Sequence, residues 1–142
     1  DDERALKKRA FKDAGLVLNA FTGFHRKPLK MWSSYATRAL DTAKIFKERL
    51  EVEDKDFFVK NDLYTFDSRS LLDIIRSCDN EVDTLMIFGH NPAITKVVNE
   101  LGSEHFSNVP TTGLCMIEFE TENWQDIKNG KTLLYLFPKH LR

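Results

Sequence analysis

A three-layer α/β fold, with a mostly parallel central sheet and helices on both faces, is what these 142 residues predict. Three observations point that way. Short apolar runs alternate with longer segments whose apolar residues recur at helical spacing. The run inside "DTLMIFG" shows no apolar–polar alternation, as expected of a strand covered on both faces. Residues that favour helix starts and stops stand at the joints between the two kinds of segment.

Taken in order, Arg4 to Phe21 carries Leu6, Ala10, Ala14, Val17 and Phe21 on one stripe, and Thr22-Gly23 closes that helix. "LKMWSS" reads as a short strand. "YATRALDTAKIFKERL" follows as a helix with Ala36, Leu40, Ala43 and Leu50 on one side, and Ser33 or Ser34 as its expected N-cap. "DFFVKN" is a second short strand. "SRSLLDIIRSC" is a helix over Leu71, Leu72, Ile74, Ile75 and Cys78, with Ser68 as its expected cap. After "DTLMIFG", the segment "PAITKVVNEL" places Ile94, Val97, Val98 and Leu101 at helical spacing and ends at Gly102. "LCMIEFE" and "KTLLYLFP" read as strands, with a short turn or helix at "NWQDIKNG" between them. No linker or repeat divides the chain, so one domain over residues 1–142 is expected. Crossovers between parallel strands should be right-handed, which gathers the strand-to-helix joints on one edge of the sheet. Ligands of such folds bind at that edge.

Composition narrows the function. The formal net charge is −1, so no bulk attraction to nucleic acid or an anionic membrane follows, and any anion site must be local. Two cysteines, Cys78 and Cys115, fit no metal spacing and read as thiols in a reducing compartment. The longest apolar stretches are far too short to span a bilayer, and no signal-peptide pattern is visible, so a cytoplasmic location without membrane or nucleic-acid partners is expected. Trp32 and Trp124 read as core residues rather than ligand platforms.

Two joints carry chemistry. In "SSYATRALDTA", a cap at Ser34 would set Arg38 about one turn into the helix, near its positive end. In "GHNPAIT", Asn91 suits an N-cap and Pro92 a first helical residue, which leaves His90 on the functional edge of the sheet. Helix N-termini expose free amides that suit a phosphate. Arg38 adds a planar fork of donors, and His90 can bind a phosphoryl oxygen or shuttle a proton near neutral pH. Each residue also has a plain structural use: a satisfied histidine, a solvated arginine, a serine that only caps. Both cations should converge on one edge, and the residues by themselves reach as far as an anion site, best suited to phosphate.

At these joints the sequence resembles the histidine phosphatase superfamily, which has the phosphoglycerate mutase-like fold, and within it the short bacterial SixA branch of phosphohistidine phosphatases. "SSYATRALDTA" is similar to that family's Ser-Pro-x-x-Arg-Ala-x-x-Thr-Ala motif, with Ser34 and Tyr35 at the Ser-Pro positions. "FGHNPAITKVVNEL" resembles its Gly-His-Asn-Pro segment. "VPTTGLCMIEFE" and "NWQDIKNGKTLLYLFPKHLR" resemble the later strands. "DDERALKKRAFKDA" is similar to the segment Asp-x-x-Arg-Pro-Leu-x-x-x-Gly, with Ala5 at the proline and Ala10 at the glycine.

The resemblance implies roles. Arg38 and His90 match a phosphate-binding arginine and the second active-site histidine. Arg4 matches an arginine at the pocket rim, or else a solvated helix-start residue. Ser34 could donate to phosphate or simply cap, and Asn91 is counted with Arg38, His90, Arg4 and Ser34 among the phosphate-binding residues. The family nucleophile is the histidine of an Arg-His-Gly or Arg-His-Ala motif ending the first strand. No Arg-His dipeptide occurs here, and "FHRKP" at His25 reverses the order after a helix, as in a surface loop. That strand is expected upstream of Asp1, in the native gene product, because without it two neighbouring strands would expose sheet edges.

The implied activity is a phosphatase acting on phosphohistidine or a phosphomonoester through a phosphohistidine enzyme intermediate. It needs neither metal nor other cofactor, and its partners are a phosphorylated small molecule or phosphohistidine protein and phosphate ion. Asp67 in "LYTFDSRS" is the one candidate for a general acid, and it also suits a helix cap. An alternative is a catalytically inactive domain of the same fold that binds phosphate or a phosphoprotein. A receiver domain would need an acidic cluster at the strand ends, which the histidine joint does not suit.

Overall fold

The computed structural model describes residues 3–142; Asp1 and Asp2, and the side chains of Glu3 and Leu6, lie outside the described residues. The chain begins with helix α1 (Glu3–Phe21) and continues through β1 (Lys30–Ser33), α2 (Thr37–Arg49), β2 (Phe57–Val59) and α3 (Ser68–Arg76). It then runs through β3 (Leu85–Phe88), α4 (Ala93–Leu101), β4 (Leu114–Glu118), β5 (Lys131–Leu136) and a final short helix α5 (Pro138–Leu141). Short 3-10 turns lie at Asp54–Asp56, Asn61–Leu63 and Trp124–Asp126.

β1 lies between β2 and β3 and pairs in parallel with both, Trp32 standing between Phe58 and Ile87. β4 and β5 form a separate antiparallel pair. Helices cover both faces. Against one, Met31, Met86, Phe88, Leu114 and Met116 pack with Val17 and Phe21 of α1, Phe46 of α2 and Leu50 just past its end. Against the other, Trp32, Leu85, Ile87 and Ile117 pack with Leu71, Ile75, Val97 and Leu101 of α3 and α4. Successive strand residues thus enter opposite apolar layers, which is why "DTLMIFG" lacks alternation. Phe46, outside the expected stripe of α2, is among its most buried residues, with an edge-on contact to Phe88. Trp32 is buried under the Lys60 ammonium, 4.1 Å from the ring centre, and the Trp124 indole donates to the Val82 carbonyl at 2.7 Å.

β4 begins beside Val109, whose carbonyl accepts from the Asn91 amide, and ends at Glu118, which pairs with Arg26 ahead of β1 at 2.8 Å. It therefore runs opposite to β1 and β3. Among the described residues β3 and β4 do not pair, and a cleft of about 1080 Å³ runs along their facing edges. Every residue of β3 is only half-buried. On α4, all four residues of the expected stripe line the cleft, Val97 and Leu101 buried and Ile94 and Val98 half-buried.

Candidate functional site

The C-terminal ends of β1 and β3 are locked together before either chain turns into its helix. The Ser34 amide donates to the Phe88 carbonyl at 3.0 Å, which carries the pairing one residue past β1. Ser34 is fully buried, and its Oγ does two things: it accepts from the Ala36 amide at 3.2 Å and lies 2.8 Å from His90 Nε2. Neither Ser33 nor Ser34 is the N-cap of α2. Ser33 Oγ donates to the Ser34 carbonyl at 2.8 Å, and the cap position falls to Ala36, whose side chain makes no capping bond. The first turn of α2 also holds no acidic residue. The first amides of the helix are thus left without the carboxylate or hydroxyl that usually takes them.

Arg38 sits in that first turn, exposed, and its guanidinium has no hydrogen-bond or ion-pair partner among the described residues. Arg38, Ala39 and Thr42 line the same cleft as His90 and Gly89. The imidazole of His90 is half-buried, and burial pulls its pKa below the ordinary histidine value, so it is neutral at pH 7 in the free protein. Because the Ser34 hydroxyl can donate or accept, it suits either protonation state of Nε2.

The β3–α4 joint is built differently. Asn91 Oδ1 accepts from the Thr95 amide at 3.1 Å and from Thr95 Oγ1 at 2.9 Å, while its Nδ2 donates to the Val109 carbonyl at 2.8 Å. Thr95 Oγ1 in turn accepts from the Val109 amide at 2.9 Å. The side chain of Asn91 fastens the start of α4 to the loop ahead of β4, and the helix begins at Ala93, one residue later than Pro92. That loop adds residues the sequence reading did not single out. Thr111 and Thr112 line the cleft in a tight turn closed by the Gly113 amide on the Pro110 carbonyl, and Thr112 sits at φ 65°. A non-glycine residue in that region is uncommon and clusters at functional sites. Its only trace in the sequence was "PTTG", a turn signal.

The remaining candidates stand elsewhere. Arg4 is exposed in the first turn of α1 and does not line the cleft. Asp67, rather than Ser68, caps α3: one carboxylate oxygen accepts from the Ser70 amide at 3.0 Å and from Ser70 Oγ at 2.8 Å. These bonds hold its pKa below the usual carboxylate range, so it carries no proton to give at pH 7. His25 is half-buried rather than on the surface. It lies ahead of β1 at the other end of the cleft, its Nδ1 shielded and without a partner among the described residues. Cys115 faces the cleft from β4, but burial pushes its thiol up to about 11, which keeps it an inert thiol. Among the described residues no group of three or more His, Cys, Asp or Glu stands together as a metal site.

Beside His90, away from the cleft lining, stand three exposed aromatic rings. Tyr64 lies 5.0 Å from the imidazole centre, Phe66 5.9 Å from it, and Tyr35 5.3 Å from Tyr64.

The fold is shared with solved proteins. Over 93% of this chain and 83% of that one, it superposes on a protein histidine phosphatase SixA complexed with tungstate, at a TM-score of 0.75 and 18% identity. Over 89% of this chain and 78% of that one, it superposes on a protein of Agrobacterium tumefaciens assigned as a phosphohistidine phosphatase SixA, at a TM-score of 0.68 and 21% identity. The α/β architecture expected from the sequence is thus the SixA, phosphoglycerate mutase-like fold. No protein-family model matches the sequence, and a search of curated proteins found no match.

Proposed function

We propose that this chain belongs to a SixA-type histidine phosphatase that hydrolyses phosphohistidine or a phosphomonoester without a metal, through a phosphohistidine enzyme intermediate. One observation carries the reading: His90, Arg38 and the uncapped start of α2 share a single cleft. A tetrahedral oxyanion there would meet helix amides, a free guanidinium and an imidazole held by a buried serine. That a neighbour of the same fold is complexed with tungstate, itself a tetrahedral oxyanion, supports the same reading.

The nucleophile in this account is a histidine on a strand preceding residue 1, seated between β3 and β4 as part of the same single domain. Two unpaired strand edges and the half-buried side chains of β3, Ile94 and Val98 support that seat. Its ring nitrogen attacks phosphorus, and the P–N bond forms as the bond to the leaving group breaks; the imidazole of a phosphohistidine leaves carrying the proton already on its other ring nitrogen, and an alcohol leaving group takes its proton from water. Arg38 and His90 hold the equatorial oxygens, and binding the dianion raises the His90 pKa so that the imidazole takes up a proton. Water then attacks the phosphohistidine, releasing phosphate and restoring the ring. Ser34 orients His90, and Asn91 positions the loop behind it. Arg4 has no part in this set. The compartment is the cytoplasm in the same proposal; among the described residues no helix is long and apolar enough to cross a membrane.

Steady-state hydrolysis of an aryl phosphate by the full-length chain in EDTA tests the proposal, together with acid-labile, alkali-stable labelling of the protein. Turnover that falls about a hundredfold or more, with the label lowered alongside it, is expected in Arg38→Ala and in His90→Ala. Activity that survives both changes, or that requires magnesium, overturns it. Tungstate binding without turnover would instead favour an inactive domain that binds phosphate or a phosphoprotein.

A further inference from the structure

Three aromatic side chains at the mouth of the site remain unexplained by phosphate binding. Tyr35, Tyr64 and Phe66 are 52%, 45% and 55% exposed, yet Tyr64 and Phe66 touch each other and His90, and Tyr35 touches Tyr64. Their ring spacings, 5.3 Å for Tyr35–Tyr64 and 5.6 Å for Tyr64–Phe66, fall in the range where aromatic pairs attract. Grouped exposed aromatics mark a binding surface, whereas scattered ones do not. They come from two different loops, one after β1 and one after β2, which converge over the same flank of His90.

Topology gives that flank a chemical meaning. The sheet order is β2–β1–β3, so Tyr35, Tyr64 and Phe66 stand on the β1 and β2 side of His90. The cleft between β3 and β4 opens on its other side. Phosphoryl transfer is in line, with attacking and leaving groups on opposite sides of phosphorus. If the nucleophile enters from the cleft, as proposed above, the leaving group points across His90 toward the aromatic rings. Asp67, next to Phe66 in the chain, is engaged by Ser70 and kept ionised, so it offers no proton to a poor leaving group.

We infer that Tyr35, Tyr64 and Phe66 form a stacking platform for the substrate's leaving group and select phosphoryl compounds whose leaving group is a flat ring over those with a small alkyl group. The inference rests on the proposed anion site but assigns specificity to residues that do not touch the phosphoryl group.

Binding of two non-hydrolysable probes to the full-length chain, phenylphosphonate and methylphosphonate, separates the two claims. The expected result is tighter binding of the phenyl compound. That preference should fall about three- to tenfold in Tyr64→Ala and in Tyr35→Ala, in keeping with the strength of ring pairs, and be largely retained in Tyr64→Phe. Equal affinity for the two probes overturns the platform alone. So does a loss in Tyr64→Ala that falls equally on both probes, since Tyr64 would then merely hold His90 in place. If neither probe binds, the anion site itself fails and the platform with it. With turnover available, benzyl against ethyl phosphate repeats the comparison at similar leaving-group basicity, and an unmoved ratio of kcat/KM in the alanine variants has the same force.

Discussion

The two strand-to-helix joints on the functional edge look alike in sequence and are built for opposite purposes. At the β3–α4 joint, Asn91 satisfies the Thr95 amide and hydroxyl and the Val109 carbonyl, so the polar groups are answered within the protein. At the β1–α2 joint, the helix starts at an alanine with no capping side chain, and Arg38 is unpaired among the described residues. One joint is a holder, which fixes His90 in place. The other, in the function proposed above, is the receiver, its uncapped amides and the Arg38 guanidinium open to an anion. Ser34 joins them, its hydroxyl shared between the Ala36 amide and the imidazole. A rigid group and an unsatisfied helix end are thereby set against each other across a buried contact, the preorganisation that favours stabilising charge as it develops.

The largest effects should come from the receiver. Arg38→Ala is expected to lower kcat/KM about 10²- to 10³-fold, the usual scale for one oxyanion donor, with little change in Tm because the side chain is exposed. An equal loss of stability would mean that Arg38 is structural. A gain-of-cap change sharpens the contrast: Ala36→Asp supplies the missing carboxylate, which should stabilise the fold by about 1 kcal/mol and weaken tungstate binding at least about tenfold. If stability rises and tungstate affinity does not move, α2 is not the seat of the anion.

The fold was legible because its signals are local and redundant. Leu85–Phe88 had to be covered on both faces, and Ala14, Val17 and Phe21 had to share a helix side. The meeting of His90 and Arg38 in one cleft followed from topology, since parallel strands bring their joints to one edge. What stayed hidden depends on tertiary detail. The Ser34 hydroxyl is drawn away from a cap position by His90, a partner far along the chain. The cap of α3, by contrast, is a local contact for which the sequence offered Asp67 as well as Ser68, and the Asp67 carboxylate takes it by accepting from the Ser70 amide. The aromatic rings come from separate loops, and no spacing along the chain announces that they converge. Arg4, by resemblance a rim residue or else a solvated helix-start residue, is exposed in the first turn of α1 and is not among the residues lining the cleft.

Smaller effects test the holder. The pKa of His90 is depressed by burial in the free protein, and a bound dianion raises it. Binding therefore takes up a proton: tungstate affinity should rise as pH falls from about 8 toward about 6, with the slope absent in His90→Gln. A flat profile in the unsubstituted protein would place the anion away from the imidazole. Asn91→Ala should cost about 1–2 kcal/mol of stability, read by urea unfolding, by leaving the start of α4 uncapped. Activity should fall only through the loosened loop. Least of all, Asp67→Ala should cost about 1 kcal/mol as a lost cap while leaving kcat/KM on an aryl phosphate within about twofold. A large drop in turnover there would restore Asp67 as a proton donor.

The most direct test of the account is a crystal structure of the full-length chain soaked with tungstate. One anion is predicted at the start of α2, within hydrogen-bond distance of both the Arg38 guanidinium and the His90 imidazole, whose Nε2 stays on Ser34. An anion that touches only one of these groups, or binds elsewhere while both remain free, would contradict the claim that the two joints build a single site.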